Sequence, residues 1–156
     1  MLKVPEKVFN IDINNIKIGL SDIHIYGKDE IEEAQAGYRY NGLTGELIED
    51  WIGDQYVVIG NDSCCGDPII AKIDEEELPI YSMFHDDWVS LQIIANSLDQ
   101  FINILKKLDE TDLADREECK NIFESIKQEA PNTSYDYWES LIASAYEFLT
   151  DDEYGE

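Results

Sequence analysis

The stretch Tyr56–Ile70, YVVIGNDSCCGDPII, supports two readings that lead to different proteins. An apolar run reaches a glycine, a polar loop follows, and a second glycine and a proline lead into another apolar run. As an active-site loop it offers two aspartates, a serine and two adjacent cysteines. As a connection it is a turn between two strands. Gly60 and Gly66 permit backbone angles that other residues avoid. Asn61 and Asp62 favour turns through their own side-chain hydrogen bonds, and Pro68 sets the start of the next strand.

Each chemistry fails on a missing partner. A phosphate-binding loop needs Gly, four residues, then Gly-Lys-Ser/Thr. Here five residues separate Gly60 from Gly66, and Asp67 stands where the cation belongs. Zinc sites take cysteines two to four residues apart with a second pair or histidines. Cys64 and Cys65 are adjacent, Cys119 falls on the apolar face of an expected helix, and His24 and His85 have no pattern linking them. A nucleophile at Ser63, Cys64 or Cys65 has only His85 as a base, and the neighbouring Asp86 and Asp87 would hold that imidazole protonated. No catalytic residue, cofactor or metal is expected. A lone thiolate at Cys64 or Cys65 stays open beside the expectation that both pack in a turn. Gly60, Gly66 and Pro68 are expected to shape the backbone, while Asp62 and Asp67 either tie the turn together or face a basic partner.

Outward from this hairpin the first half reads as strands and turns. IKIGLSDIHIYG alternates apolar and polar residues through Ile16, Ile18, Ile23 and Ile25, with a break near Gly19. DEIEEAQAG is a short helical turn closed by Gly37. Asn41-Gly42, in YRYNGLTGELIEDW, signals a further hairpin. PIIAKI and LPIYSMF are strands on either side of the acidic turn Asp74–Glu77. The second half changes period. NSLDQFINILKKLDE places Leu98, Phe101, Ile102, Leu105 and Leu108 at helical spacing behind a Ser97/Gln100 capping box. DREECKNIFESIKQEA and SYDYWESLIASAYEFL read as two more helices, the first ended by Pro131 and the second carrying an apolar stripe from Trp138 to Leu149. Strands first and helices later predict a single α+β domain over 1–156, an antiparallel-rich twisted sheet packed against mostly C-terminal helices, with an acidic frayed tail at 150–156.

Composition bounds the partners. The 156 residues carry 35 acids against 11 bases, a formal net charge of −24, yet 44% hydrophobic content exceeds that of a disordered acidic tail. Residues 29–87 hold sixteen acids and two bases, whereas residues 1–28 are nearly neutral. Such a field repels nucleic acid and anionic membrane and steers a basic partner; ordinary solubility is the plainer explanation. No run of about 20 apolar residues could span a bilayer. Three cysteines without a disulfide framework fit a reducing compartment, so a cytoplasmic location is expected.

Four segments in order, EIEEAQAGY (30–38), DWIGDQYVVIGNDSCCGDPIIAKI (50–73), PIYSMFHDDW (79–88) and IANSLDQFINIL (94–105), resemble the motifs of the SUKH superfamily, which includes yeast cell-wall-assembly regulators and many bacterial proteins. The resemblance covers about residues 22–108. It departs in two places: there is little room ahead of the first strand for the helix many relatives carry there, and the family's His-Gly-x-Gly-x-Trp segment is shortened to His85-Asp86-Asp87-Trp88. It implies an α+β binding domain without known catalysis. Bacterial members look like immunity proteins that neutralise toxins, often nucleases, encoded beside them; eukaryotic members look like regulatory interaction modules. The expected function is therefore a non-enzymatic immunity protein whose acidic face covers the basic site of a nearby-encoded toxin, with a regulatory scaffold as the alternative. The expected partner-binding residues are Glu46, Glu49, Asp50, Asp54, Asp62, Asp67, Asp86, Asp87 and Trp88. Taken alone, Trp51 and Trp88 are each expected in the core, since large aromatics dominate core burial, with the acids around them as a solvated rim.

Overall fold

The computed structural model describes residues 4–49, 51, 53–63, 66–84 and 87–151. After a one-turn helix α1 (Glu6–Phe9) come six strands: β1 (Asn15–Ile18), β2 (Ser21–Ile25), β3 (Tyr56–Asp62), β4 (Asp67–Lys72), β5 (Ile80–Phe84) and β6 (Asp87–Ala95). They form one sheet in the order β1-β2-β3-β4-β5-β6 with every neighbouring pair antiparallel, a meander that accords with the expected antiparallel-rich sheet. Three helices follow, α2 (Leu98–Asp109), α3 (Arg116–Glu129) and α4 (Tyr135–Thr150). The fold is α+β.

Alternation decides the faces. Ile16, Ile18, Ile23 and Ile25 are buried together, and the β1–β2 turn places Gly19 at φ +63°, as a two-residue turn with glycine first requires. In β3, Val57 and Ile59 face the main core while Val58 faces the other side; in β4, Ile69 and Ala71 oppose Ile70 in the same way. The main core takes the helices, with Phe101 of α2 and Trp138 of α4 fully buried and their rings 6.2 Å apart. Burying a side chain such as Phe101 stabilises by about 2 kcal/mol. On the opposite face Trp51, Val58, Ile70 and Met83 make a smaller cluster. Trp51 is thus a core residue.

The helix ends are as expected, with refinements. Ser97 Oγ accepts from Gln100 N–H (3.0 Å), but the Gln100 side chain reaches back to Asn96 N–H (2.7 Å) and across to the Glu129 carbonyl (2.6 Å), tying α2 to the end of α3. Asp115 caps α3 by accepting from Glu117 and Glu118 N–H. Helix α4 continues through Thr150, which the expected tail included; 152–156 lie outside the described residues.

Two expectations change. The chain reverses near Asn41-Gly42, but as a loop with one bridge, Tyr40 to Leu47, and no named strand. Asn41 Oδ1 accepts from Leu43 and Thr44 N–H, widening the turn, and Leu43 and Leu47 stay exposed, so no apolar face draws a ladder together. Strand β6 was missed. Its pairing with β5 shifts register twice, which destroys the period of two by which a strand is read.

Candidate functional site

The β3–β4 hairpin is built around its glycines. Register shifts between Val58 and Gly60, and at Gly60 an added Cβ would overlap the His24 carbonyl oxygen of β2. Gly66 lies at φ +74° with open space around it, and its N–H closes the loop on the Asp62 carbonyl (2.8 Å). Pro68 is buried opposite Asn61, one residue inside the Asp62–Asp67 pair at which the β3–β4 ladder begins. Tyr38 donates its hydroxyl to the Gly66 carbonyl (2.8 Å), and Ser63 N–H donates to the Asp22 carbonyl (3.0 Å). The loop is an ordered connection; Cys64 and Cys65 lie outside the described residues.

The hairpin ends in facing carboxylates. Asp62 and Asp67 are directly opposite in the ladder and half-buried. Asp87, exposed at the start of β6, pairs with Phe84 of β5 at the same end of the sheet and accepts from Val89 N–H (3.1 Å). The other expected residues are elsewhere. Asp54 precedes β3, and seven residues of extended strand put it roughly 20 Å from Asp62. Its carboxylate accepts from the buried guanidinium of Arg39 (2.6 Å). Glu46 and Glu49 are exposed on the loop whose Ile48 N–H bonds the Arg39 carbonyl. The nine expected residues therefore do not share one face. Asp62, Asp67 and Asp87 gather at the hairpin end, while Glu46, Glu49 and Asp54 belong to the Arg39 region. Asp50, Asp86 and the Trp88 side chain lie outside what is described, as does His85.

Sequence reasoning missed the wall that faces the hairpin end. Asp136, Tyr137, Ser140, Leu141 and Ser144 recur at helical spacing along one side of α4 and line a cleft of about 470 Å³ with Asp62, Asp67 and Phe84. Of these only Leu141 belongs to the apolar stripe from Trp138 to Leu149 by which the helix is read, and that stripe points to the core. Two contacts hold α4 in place. At its start, Ser134 N–H donates to the Ile93 carbonyl (2.7 Å) and Trp138 Nε1 to the Ile94 carbonyl (2.8 Å) of β6. Further along, the Gly19 backbone comes so close to Ala145 that a Cβ there would be 2.6 Å from Ala145 Cα.

Electrostatics at this end favour cations. Burial, with Asp62 and Asp67 behind it, pushes the Tyr137 phenol well above its ordinary range. Tyr38 is also raised, by burial first; a hydrogen bond with Asn61 pulls it down and Asp67 pushes it up. Both hydroxyls are neutral at pH 7. Among the 56 positions from 40 to 95 the sequence has one lysine or arginine, Lys72, and its ammonium pairs with Asp74 and Glu75 across the turn at the far end of β4. 

Reactive groups elsewhere among the described residues are engaged. Cys119 donates to the Leu113 carbonyl (3.3 Å), and burial, then Asp115, Asp112 and Glu118, push its thiol up. The imidazole of His24 lies between Asn15 Oδ1 (3.1 Å) and Glu30 Oε2 (3.3 Å). Asp112, Asp115 and Glu118 are close enough to share a cation, but each accepts a backbone N–H at the start of α3. Compared with known proteins, the chain matches no family model, no curated protein and no solved structure.

Proposed function

We propose that this chain is a SUKH-type, non-enzymatic protein-binding module that neutralises a basic toxin by laying the hairpin end of its sheet over the toxin's cationic site. The observation that carries the reading is the gathering of Asp62, Asp67 and Asp87 at one end of the sheet, beside a cleft that no lysine or arginine lines among the described residues. The Arg39 region is the weaker candidate, because Asp54 is already paired there. Charged groups placed across an interface steer association and reject wrong partners, and close pairs couple by about 1.5 kcal/mol or more. An acidic surface of this kind suits a nuclease, whose active cleft must itself attract phosphate.

The test is co-expression with the product of the neighbouring gene. Protection from a toxic product is expected, and replacing Asp62, Asp67 and Asp87 together by Asn should weaken binding more than about tenfold. Glu46→Gln with Glu49→Gln should leave binding unchanged. A neighbour that is not toxic, or whose toxicity is untouched, sinks the toxin reading and leaves the regulatory interaction module in its place.

A further inference from the structure

We propose that the cleft between α4 and the hairpin end of the sheet receives an extended segment of the partner protein in which basic residues alternate with apolar ones. The inference rests on the protein-binding reading above and names the segment that the surface would hold.

Shape comes first. The cleft is lined by the β1–β2 turn at Leu20, by the ends of β3, β4 and β5, and by β6 at Ser90, so it crosses the sheet beneath one side of α4. Four gaps between neighbouring strands span about 19 Å, the length of roughly six residues of extended chain. The gap is held open at both ends of its helical wall. Trp138 fixes α4 to β6, and the close approach of Gly19 to Ala145 fixes it to the β1–β2 turn.

Chemistry selects the occupant. Leu20 and Phe84 are 59% and 61% exposed at the cleft, and Tyr137 and Leu141 contribute further apolar surface. Asp136 stands on the helical side and Asp62 and Asp67 on the sheet side, while no lysine or arginine lines the cleft among the described residues. Carboxylates on two walls with apolar surface between them suit lysine or arginine, whose aliphatic stems cover apolar surface while the charged head reaches outward. An extended chain sends successive side chains to opposite sides, so alternation lets one row meet the carboxylates and the other the apolar surface. An anionic segment would be repelled by the carboxylates, and a purely apolar one would gain nothing from them.

The experiment uses the full chain and a synthetic hexapeptide of alternating leucine and arginine, capped at both ends, with glutamine replacing arginine in the control. Calorimetry should find the arginine peptide at least about tenfold tighter than the control. Asp136→Asn and Ser144→Arg, both at exposed positions on α4, should each weaken it several-fold without moving the melting temperature, whereas Glu46→Gln with Glu49→Gln should not. Equal binding of the two peptides overturns the proposal, and so does equal loss from the α4 and Glu46/Glu49 variants, which would mean diffuse attraction to an acidic surface. The two readings also separate from each other. If toxin neutralisation survives Ser144→Arg but not the Asp62/Asp67/Asp87 change, the cleft is not the binding place and the toxin reading stands. If the peptide binds the cleft of a protein that protects against no toxin, the cleft stands and the toxin reading falls.

Discussion

Gly60 has no room for a methyl group, because the His24 carbonyl of β2 occupies the place where a Cβ would project. Gly66 has the room but holds φ at +74°, where a side chain strains the backbone. Two glycines that look alike in the sequence are thus needed for different reasons. Gly60→Ala should cost roughly 1–3 kcal/mol, because the clash is with backbone that cannot swing aside. Gly66→Ala should cost about 1–2 kcal/mol through conformation alone. Chemical denaturation with unchanged m-values would check both; a neutral Gly60→Ala would mean that β2 and β3 separate easily. That these glycines bound a turn was legible from their neighbours. The close approach at Gly60 was not, since it depends on a strand 36 positions earlier in the chain.

Among elements, the single 3-10 turn Glu33–Gln35 does more than its length suggests. Gln35 is fully buried: Nε2 donates to the Ile31 and Val58 carbonyls (2.6 and 2.7 Å) and Oε1 accepts from Val58 N–H (3.0 Å). Strand β2 pairs with β3 only at Gly60 to Asp62, so beyond the bulge an amide side chain bonds Val58 where a neighbouring strand could have done so. Gln35→Leu would keep the volume and orphan both Val58 groups. We expect a loss of about 3 kcal/mol, read from the denaturation midpoint, together with faster amide exchange at Val58; a loss below about 1 kcal/mol would show that water replaces the amide. The turn itself was readable from EIEEAQAG. The role of its glutamine was not, because a lone polar residue beside three acids reads as solvated surface until the sheet is in place. For β6, bulges hid the strand by breaking its alternation.

At the scale of the molecule, charge and burial set the response to pH. Burial first, then Tyr38 and Glu30, raises the Tyr26 phenol from 10.0 to about 12, and Tyr137 is raised in the same direction by burial and by Asp62 and Asp67. A raised folded value means stability that is complete below the unfolded value and lost as pH climbs towards the folded one. Stability should therefore fall between about pH 10 and pH 12, with phenolate absorbance and loss of structure appearing together. Tyr26→Phe should flatten part of that decline, and an unchanged profile would place the transition on other groups. The sequence by itself determined the class: period two followed by period 3.6, turn residues at the boundaries and an acidic surface are local patterns, and they lead to an antiparallel-rich sheet followed by helices without reference to distant contacts, whereas the count of six strands, with β6 included, needed the tertiary pairing. Which acids act together was decided only by tertiary structure. Asp62 and Asp67 meet because a hairpin closes, Asp136 joins them because Trp138 and Gly19 hold α4 across the sheet, and Asp54 lies at the other end of β3, paired with Arg39. Electrostatic fields depend on distance through space, and sequence separation carries little of that information.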